Sequence, residues 1–199
     1  MNKFLKRSFD LISSLIGFII LLPIFLIISL LIKIDSKGPI LFKQKRVGKD
    51  GSIFEILKFR TMVVNAEKLG KQITVGKDNR ITKVGKSLRK YKLDELPQLI
   101  NVIKGDMSLV GPRPEVPKYV DLYNNEQKKV LSVRPGITDY ASLKYSDENQ
   151  LLGTVDNPEK YYIEVIMQDK LALNLEYIKN NNAFNDILII FKTIIKCLK

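Results

Sequence analysis

Asp94 and Glu95 stand side by side just ahead of Pro97. Cations flank them: Arg89, Lys90 and Lys92 upstream, and Arg113 between Pro112 and Pro114 downstream. Two kinds of chemistry fit that set. Asp is a favoured helix N-cap and acidic residues suit a first turn, so the pair can serve simply to start a helix. A helix start among cations also binds phosphate oxyanions. A carboxylate in that place, ionised in the ordinary way, can attack phosphorus once Mg²⁺ screens the charge. The gathering of basic, acidic and proline-stiffened residues in one short stretch draws attention to the second reading.

The rest of the composition narrows the options. There is no histidine, which removes Ser-His-Asp and Cys-His catalysis, imidazole metal ligands and histidine bases. The single cysteine, Cys197, allows no disulfide within the chain. Chemistry must rest on carboxylates, Lys, Arg, Ser, Thr or Tyr. A net charge of +12 and a pI of about 9.6 favour partners that carry phosphate, such as lipid headgroups, nucleotides or nucleic acid.

The elements must bring those residues to a phosphate. Leu11 to Ile32 contains no charged residue and is long enough to cross a bilayer. It lacks a small-residue cleavage site and exceeds a signal-peptide core, so it is expected to be retained. Pro23 falls within it and deletes a helix hydrogen bond. Both flanks are basic: Lys3, Lys6 and Arg7 before, and Lys33, Lys37, Lys43, Lys45 and Arg46 after. A spanning helix usually leaves one flank poor in cations. The segment therefore reads equally as a helix that bends near Pro23 and returns to the cytoplasmic face, or as a kinked spanning helix. Arg7 and Asp10, at i and i+3, are spaced to pair on one face.

Ser36 to Pro39 is a turn. Ile40 to Val47 and Ile53 to Phe59 read as strands joined at Lys49-Asp50-Gly51. Ala66 to Leu69 reads as a helical turn and Gly76 to Arg80 as a polar loop. Gly85 to Lys92 has helical spacing. Leu96, Leu99, Ile100 and Ile103 form an amphipathic stripe, with Pro97 in the first turn and Gly105 as the stop. Pro112-Arg113-Pro114 is stiff and extended. Val116 to Leu131 reads as one amphipathic helix, Pro158 to Asn180 as mostly helical, and Phe184 to Leu198 as a surface-lying helix.

The run Lys92-Leu93-Asp94-Glu95-Leu96-Pro97-Gln98-Leu99, continued from Asn101 to Pro114, resembles the signature of the bacterial sugar transferases. These are the monotopic phosphoglycosyl transferases that begin glycan assembly on undecaprenyl phosphate. Lys6-Arg7 with Asp10, Gln44 to Gly48, Lys58 to Met62 and Arg134 to Thr138 carry the likeness over nearly the whole chain, and the length fits the small members.

The resemblance implies an α+β protein with a re-entrant membrane helix over residues 1–35. Residues 36–199 would then form a small, mainly helical catalytic domain at the cytoplasmic membrane face, with a short β-hairpin and interfacial amphipathic helices. It implies that Asp94 attacks the sugar-linked phosphorus of a UDP-sugar, expels UMP, and passes the phosphosugar to undecaprenyl phosphate. Mg²⁺ would bridge Asp94 and the diphosphate. Glu95 would support Asp94 and help with protons or the acceptor phosphate. Arg89, Arg113, Arg60 and Arg134 would hold phosphate oxygens, and Arg7, Asp10 and Pro23 would shape the membrane helix. Expected partners are a UDP-sugar, undecaprenyl phosphate and an anionic membrane, with a homodimer allowed. Nucleic acid is not expected, because only the net charge suggests it and no recognition motif is present. A non-catalytic membrane adaptor is the competing reading of the basic flanks and amphipathic C-terminus.

The chain departs from that pattern twice. Leu22-Pro23 replaces the frequent Ser-Pro, and Asp139-Tyr140-Ala141-Ser142 stands where many relatives have Gly-Trp-Ala-Gln. The second stretch bears on sugar or nucleotide contacts, which leaves the donor open.

Overall fold

A computed structural model describes residues 3–66 and 78–198. Gly76 and Lys77 of the expected loop over Gly76 to Arg80, and the helical turn beyond Ala66, lie outside the described residues.

Helix α1, Lys3–Asp35, is a single helix that continues through Pro23. At 1.5 Å per residue it is about 50 Å long. Its buried residues Asp10, Ser14, Phe25, Ile28 and Ile32, with half-buried Phe18 and Leu21 between, follow steps of three and four and so form one narrow stripe. The remaining surface is apolar and exposed, including Ile12, Ile16, Ile19, Ile20, Leu26 and Leu30. By length and composition α1 could cross a membrane.

Strands β1, Leu41–Val47, and β2, Ile53–Phe59, form the expected antiparallel hairpin in the register Leu41↔Phe59 to Val47↔Ile53. Its turn takes positive φ at Asp50 and Gly51. Helix α2, Lys83–Lys90, begins at Thr82, whose hydroxyl accepts from the Gly85 N–H. A 3-10 turn, Leu93–Glu95, leads into α3, Gln98–Lys104, which stops at Gly105 with φ of 98°.

The expected stripe on α3 has a different role from a core face. Gln98, Asn101 and Val102 are the buried residues. Leu96 packs with the Phe25–Ile28–Ile32 cluster, and Leu99 lies toward α1 near Gly17. Asn101 is 1 % exposed, and its amide works as a piece of strand. Its Oδ1 accepts from the Leu57 N–H at 3.0 Å and its Nδ2 donates to the Glu55 carbonyl at 2.8 Å, which completes the free edge of β2.

Strands β3, Ser108–Val110, and β4, Gly136–Thr138, pair in parallel. Between them, Val116 to Leu131 is not one helix. A short helix α4, Pro117–Val120, is followed by a 3-10 stretch, Gln127–Ser132. The break has a local cause: Asn124 and Gln127 exchange side-chain-to-backbone hydrogen bonds, each at 2.9 Å, and this capping box starts a new turn. Helices α5, Tyr140–Lys144, α6, Glu148–Leu152, and α7, Pro158–Tyr161, follow. A π-helical turn, Tyr162–Ile166, leads into α8, Met167–Asn180. The main core gathers Val116, Tyr119, Val130, Tyr162, Ile166 and Leu171. Helix α9, Ala183–Leu198, buries Asp186 and Ile189 and exposes Phe184, Ile187, Phe191, Ile194 and Ile195.

Both ends of α1 are fastened to the same body. Near the N-terminus Arg7 donates to the Val102 and Ile103 carbonyls at 2.6 and 2.9 Å, satisfying groups left over at the end of α3. Asp10 pairs with Lys6 at 3.0 Å and accepts from Ser108 Oγ at 2.7 Å. The expected Arg7–Asp10 pair is therefore not formed, because each group has a better partner. Lys6 also reaches Asp186 of α9 at 2.8 Å. At the other end, the Asp35 carboxylate accepts from the Val84 N–H at 3.0 Å.

Candidate active site

Strand β2, the 3-10 turn and the proline-rich loop after β3 meet at Glu95. Lys58 Nζ lies 2.8 Å from Glu95 Oε1. The Arg113 guanidinium grips the same carboxylate with two nitrogens, one of them 3.0 Å from Oε2. Burial alone would raise the Glu95 pKa, but the charges of Arg113 and Lys58 outweigh it and hold the group well below the usual carboxylate range. The same ion pair raises the Arg113 pKa.

Asp94 is treated in the opposite way. Its residue is 8 % exposed, and among the described residues its carboxylate makes no hydrogen bond and no ion pair. Burial raises its pKa, the neighbouring Glu95 charge adds to the rise, and Lys58, Arg89 and Lys92 oppose it. The turn that presents it is itself strained: Lys92 takes a left-handed conformation with φ of 56°.

Arg89 stands on the last turn of α2, and its Nε donates to Thr61 Oγ1 at 2.9 Å. The helix approaches Thr61 closely because residue 85 is glycine; a Cβ there would lie 2.2 Å from the Thr61 carbonyl oxygen. Arg113 is placed by the pairing of β3 with β4. Gly111 N–H donates to the Thr138 carbonyl, Gly136 N–H donates to the Pro112 carbonyl, and the Arg113 N–H donates to Asp139 Oδ2 at 3.0 Å. Asp139 is fully buried and also caps α5 through the Ser142 N–H.

Sequence reasoning placed four arginines on phosphate, and the structure divides them. Arg89 and Arg113 act electrostatically on the Asp94–Glu95 pair. The Arg60 guanidinium instead holds the Lys37 and Ser36 carbonyls at 2.6 and 2.7 Å, beyond the end of α1. Arg134 donates to the Gly105 carbonyl at 2.9 Å on the surface. The Arg60 guanidinium is thereby engaged with backbone oxygens past the end of α1, whereas Arg134 is engaged through Nε alone and is otherwise exposed.

Lys58 is the site residue that the sequence reading matched without assigning it a role. A signal was present: in β2 it alternates with Phe54 and Ile56, so a lysine falls on the strand face that buries apolar residues. Desolvation lowers its pKa, against the raising effect of Glu95. Behind Arg113, Arg46 pairs with Glu115 at 3.1 Å, and the Tyr162 hydroxyl also donates to Glu115.

Among the described residues no cluster of three or more carboxylate, thiol or imidazole groups could hold a metal by protein ligands alone. Mg²⁺ does not require one, since it is commonly bound by one or two carboxylates with substrate phosphates and water. Asp94, uncommitted, fits that role; Glu95, already gripped by two cations, does not.

The chain matches the bacterial sugar transferase family over residues 1–199 and belongs to it. It is 40 % identical over 194 residues to the UDP-N-acetylgalactosamine-undecaprenyl-phosphate N-acetylgalactosaminephosphotransferase of Aeromonas hydrophila, a match that covers 96 % of this chain and 43 % of that one. It is 38 % identical over 204 residues to the UDP-glucose:undecaprenyl-phosphate glucose-1-phosphate transferase of Escherichia coli K12, covering 98 % of this chain and 40 % of that one. The chain thus spans about two fifths of the length of these two relatives. The exopolysaccharide production protein PSS of Rhizobium leguminosarum bv. phaseoli is 38 % identical over 203 residues, with 98 % and 96 % coverage.

Proposed function

We propose that this chain transfers a sugar-1-phosphate from a UDP-sugar to undecaprenyl phosphate, with Asp94 as the nucleophile. The observation that carries the reading is the contrast between the two neighbouring carboxylates: Asp94 is uncommitted and Glu95 is bound by Lys58 and Arg113. An Asp94 oxygen attacks the sugar-linked phosphorus, the bond from that phosphorus to the bridging oxygen breaks, and UMP leaves. An oxygen of undecaprenyl phosphate then attacks the same phosphorus, the bond to Asp94 breaks, and the carboxylate is restored.

Phosphoryl transfer depends mainly on position and charge neutralisation. Arg89 and Arg113 supply guanidinium donors for phosphate oxygens, and Lys58 adds charge beneath them. Glu95 stays ionised between two cations, so it is a poor base; its part is to hold Lys58 and Arg113 in place. Asp94 would hold Mg²⁺ together with the diphosphate, and the metal would neutralise phosphate charge as the carboxylate approaches.

We place the site at the cytoplasmic face of the membrane. A straight crossing would put the ends of α1 on opposite sides of about 30 Å of hydrocarbon. The anchoring of Arg7 and Asp35 to one domain supports a re-entrant arrangement in which both ends stay on one side and the exposed apolar surface meets lipid. The exposed apolar face of α9 suits the same interface.

The test of the reaction is UMP release by the detergent-purified full chain from a panel of UDP-sugars with Mg²⁺, with and without undecaprenyl phosphate. One donor should give acceptor-dependent release, and Asp94→Asn should lower it on the order of a thousandfold or more. Undiminished turnover in that variant would remove Asp94 as nucleophile.

A further inference from the structure

Pro112, Arg113 and Pro114 share a single backbone N–H, because proline has none. That one donor goes to Asp139 Oδ2 at 3.0 Å. The carbonyls on either side are held as well. Pro112 accepts from the Gly136 N–H at 2.9 Å, and Pro114 accepts from the Arg46 guanidinium at 3.1 Å. Asp139 is fully buried and, among the described residues, makes no ion pair with a lysine or arginine. A buried carboxylate without a paired cation is costly, so the position needs a reason for its charge. Capping α5 is not reason enough. Asp139 Oδ1 accepts from the Ser142 N–H there, but a serine or an asparagine caps a helix as well. What the carboxylate adds is a second acceptor oxygen, one for each of two backbone donors, where asparagine has one.

We infer that Asp139 is a positioning residue of the transfer: it fixes the Arg113 main chain, and through it the guanidinium that receives the donor's phosphate oxygens. The inference rests on the transferase reading. Arg113 is then held at both ends, by Asp139 at the backbone and by Glu95 at the head. Glu95 takes two of the five guanidinium N–H donors, and the other three have no partner among the described residues. The side chain keeps 34 % of its surface exposed, which leaves it open to a ligand. The Asp139 charge also favours the arginine's cation, after the larger effect of Glu95. A guanidinium fixed in advance loses less freedom when it grips phosphate, and a displacement of about 1 Å at such a group costs on the order of a hundredfold in rate. Asp139 itself touches neither the donor nor the phosphorus; it acts through Arg113.

The experiment uses the full chain in detergent, as wild type, Asp139→Ser and Asp139→Asn, each also in an Arg113→Ala background. Serine keeps a cap for α5 but has one short hydroxyl for two donors. Asparagine keeps the shape but sets an NH₂ against one of them. The two keep different things, so if one fails to fold in thermal unfolding the other decides. The readouts are kcat/KM for UMP release from the preferred donor and affinity for UDP, which carries the comparison where turnover is too slow to follow. With Arg113 present, each Asp139 variant should lose about tenfold or more in kcat/KM, with a parallel loss of UDP affinity. With Arg113 already alanine, the same changes should alter either readout by no more than about twofold, because residues that act through one group are not additive. Losses by the same factor in both backgrounds would show that Asp139 only stabilises the fold, and would overturn the inference. Undiminished kcat/KM in a folded Asp139→Ser would overturn it equally. A wild type that neither binds UDP nor turns over any donor would instead bring down the transferase reading, and the inference with it.

Discussion

Asp94 and Glu95 are consecutive in the chain, yet one carboxylate has no partner among the described residues and the other is bonded to both Lys58 and Arg113. The two should therefore contribute to stability with opposite signs. The folded pKa of Asp94 is raised, so the stability it contributes is present below its unfolded value of 3.8 and is lost as pH rises through the folded value. At neutral pH Asp94→Asn should raise the melting temperature. Glu95 is depressed, so its contribution is present above its unfolded value of 4.5 and is lost as pH falls through the folded one. Glu95→Gln leaves two half-buried cations without their anion and should cost about 2 kcal/mol, less than a fully buried pair would. Thermal unfolding of the two variants at pH 7 checks both signs, and a destabilised Asp94→Asn would contradict the assignment.

The raised pKa of Asp94 also sets the acid limb of the reaction. Only the ionised carboxylate attacks phosphorus, so kcat/KM for the donor should fall as pH drops through a value above 3.8. A pH–rate profile with its acid limb at or below the ordinary Asp value would show that Asp94 is not the titrating group.

Asn101 stands where a third strand would otherwise pair with β2, and it positions the strand that carries Lys58. Asn101→Ala leaves a buried N–H and a buried carbonyl open, which should cost about 2–4 kcal/mol. Asn101→Asp keeps only the acceptor half and should be almost as damaging. Urea unfolding in detergent distinguishes these from a surface substitution, which would change stability by no more than about 0.5 kcal/mol.

The two anchored ends of α1 make a topological prediction. In a Cys197→Ser background, Lys3→Cys and Lys37→Cys should both react with a membrane-impermeant thiol reagent from the cytoplasmic side of inverted vesicles. Labelling of the two positions from opposite sides would establish a spanning helix.

Some of this architecture was legible in the sequence for plain reasons. The hairpin announced itself through Lys49-Asp50-Gly51 between apolar strands, and α3 through Pro97 and Gly105. Asp94, Glu95, Arg89 and Arg113 stood out because opposite charges beside prolines are hard to assign to a solvated surface. What was not legible depended on long-range partners. Arg7 and Asp10 have pairing distance along the helix, but Arg7 finds the α3 carbonyls and Asp10 finds Lys6 and Ser108. Arg60 and Arg134 carry the same charge as Arg89 and Arg113, and only the folded chain shows that the Arg60 guanidinium holds two backbone carbonyls and that Arg134 reaches one through Nε. The break after α4 was local and could have been read from Asn124 and Gln127, whose spacing competes with a continuous helix.

Lys6 lies in the first turns of α1 and Asp186 in α9, far apart in sequence, and their contact at 2.8 Å has a consequence for biogenesis. A ribosome emits α1 before β3 and α9, and the apolar segment can reach the bilayer with Lys6 and Asp10 still waiting for α9 and for Ser108. The membrane element cannot take its final seat until α9 has been made, so insertion precedes docking. Nascent chains arrested before Ala183 should hold α1 in lipid but leave it open to protease, and release of the full chain should close it.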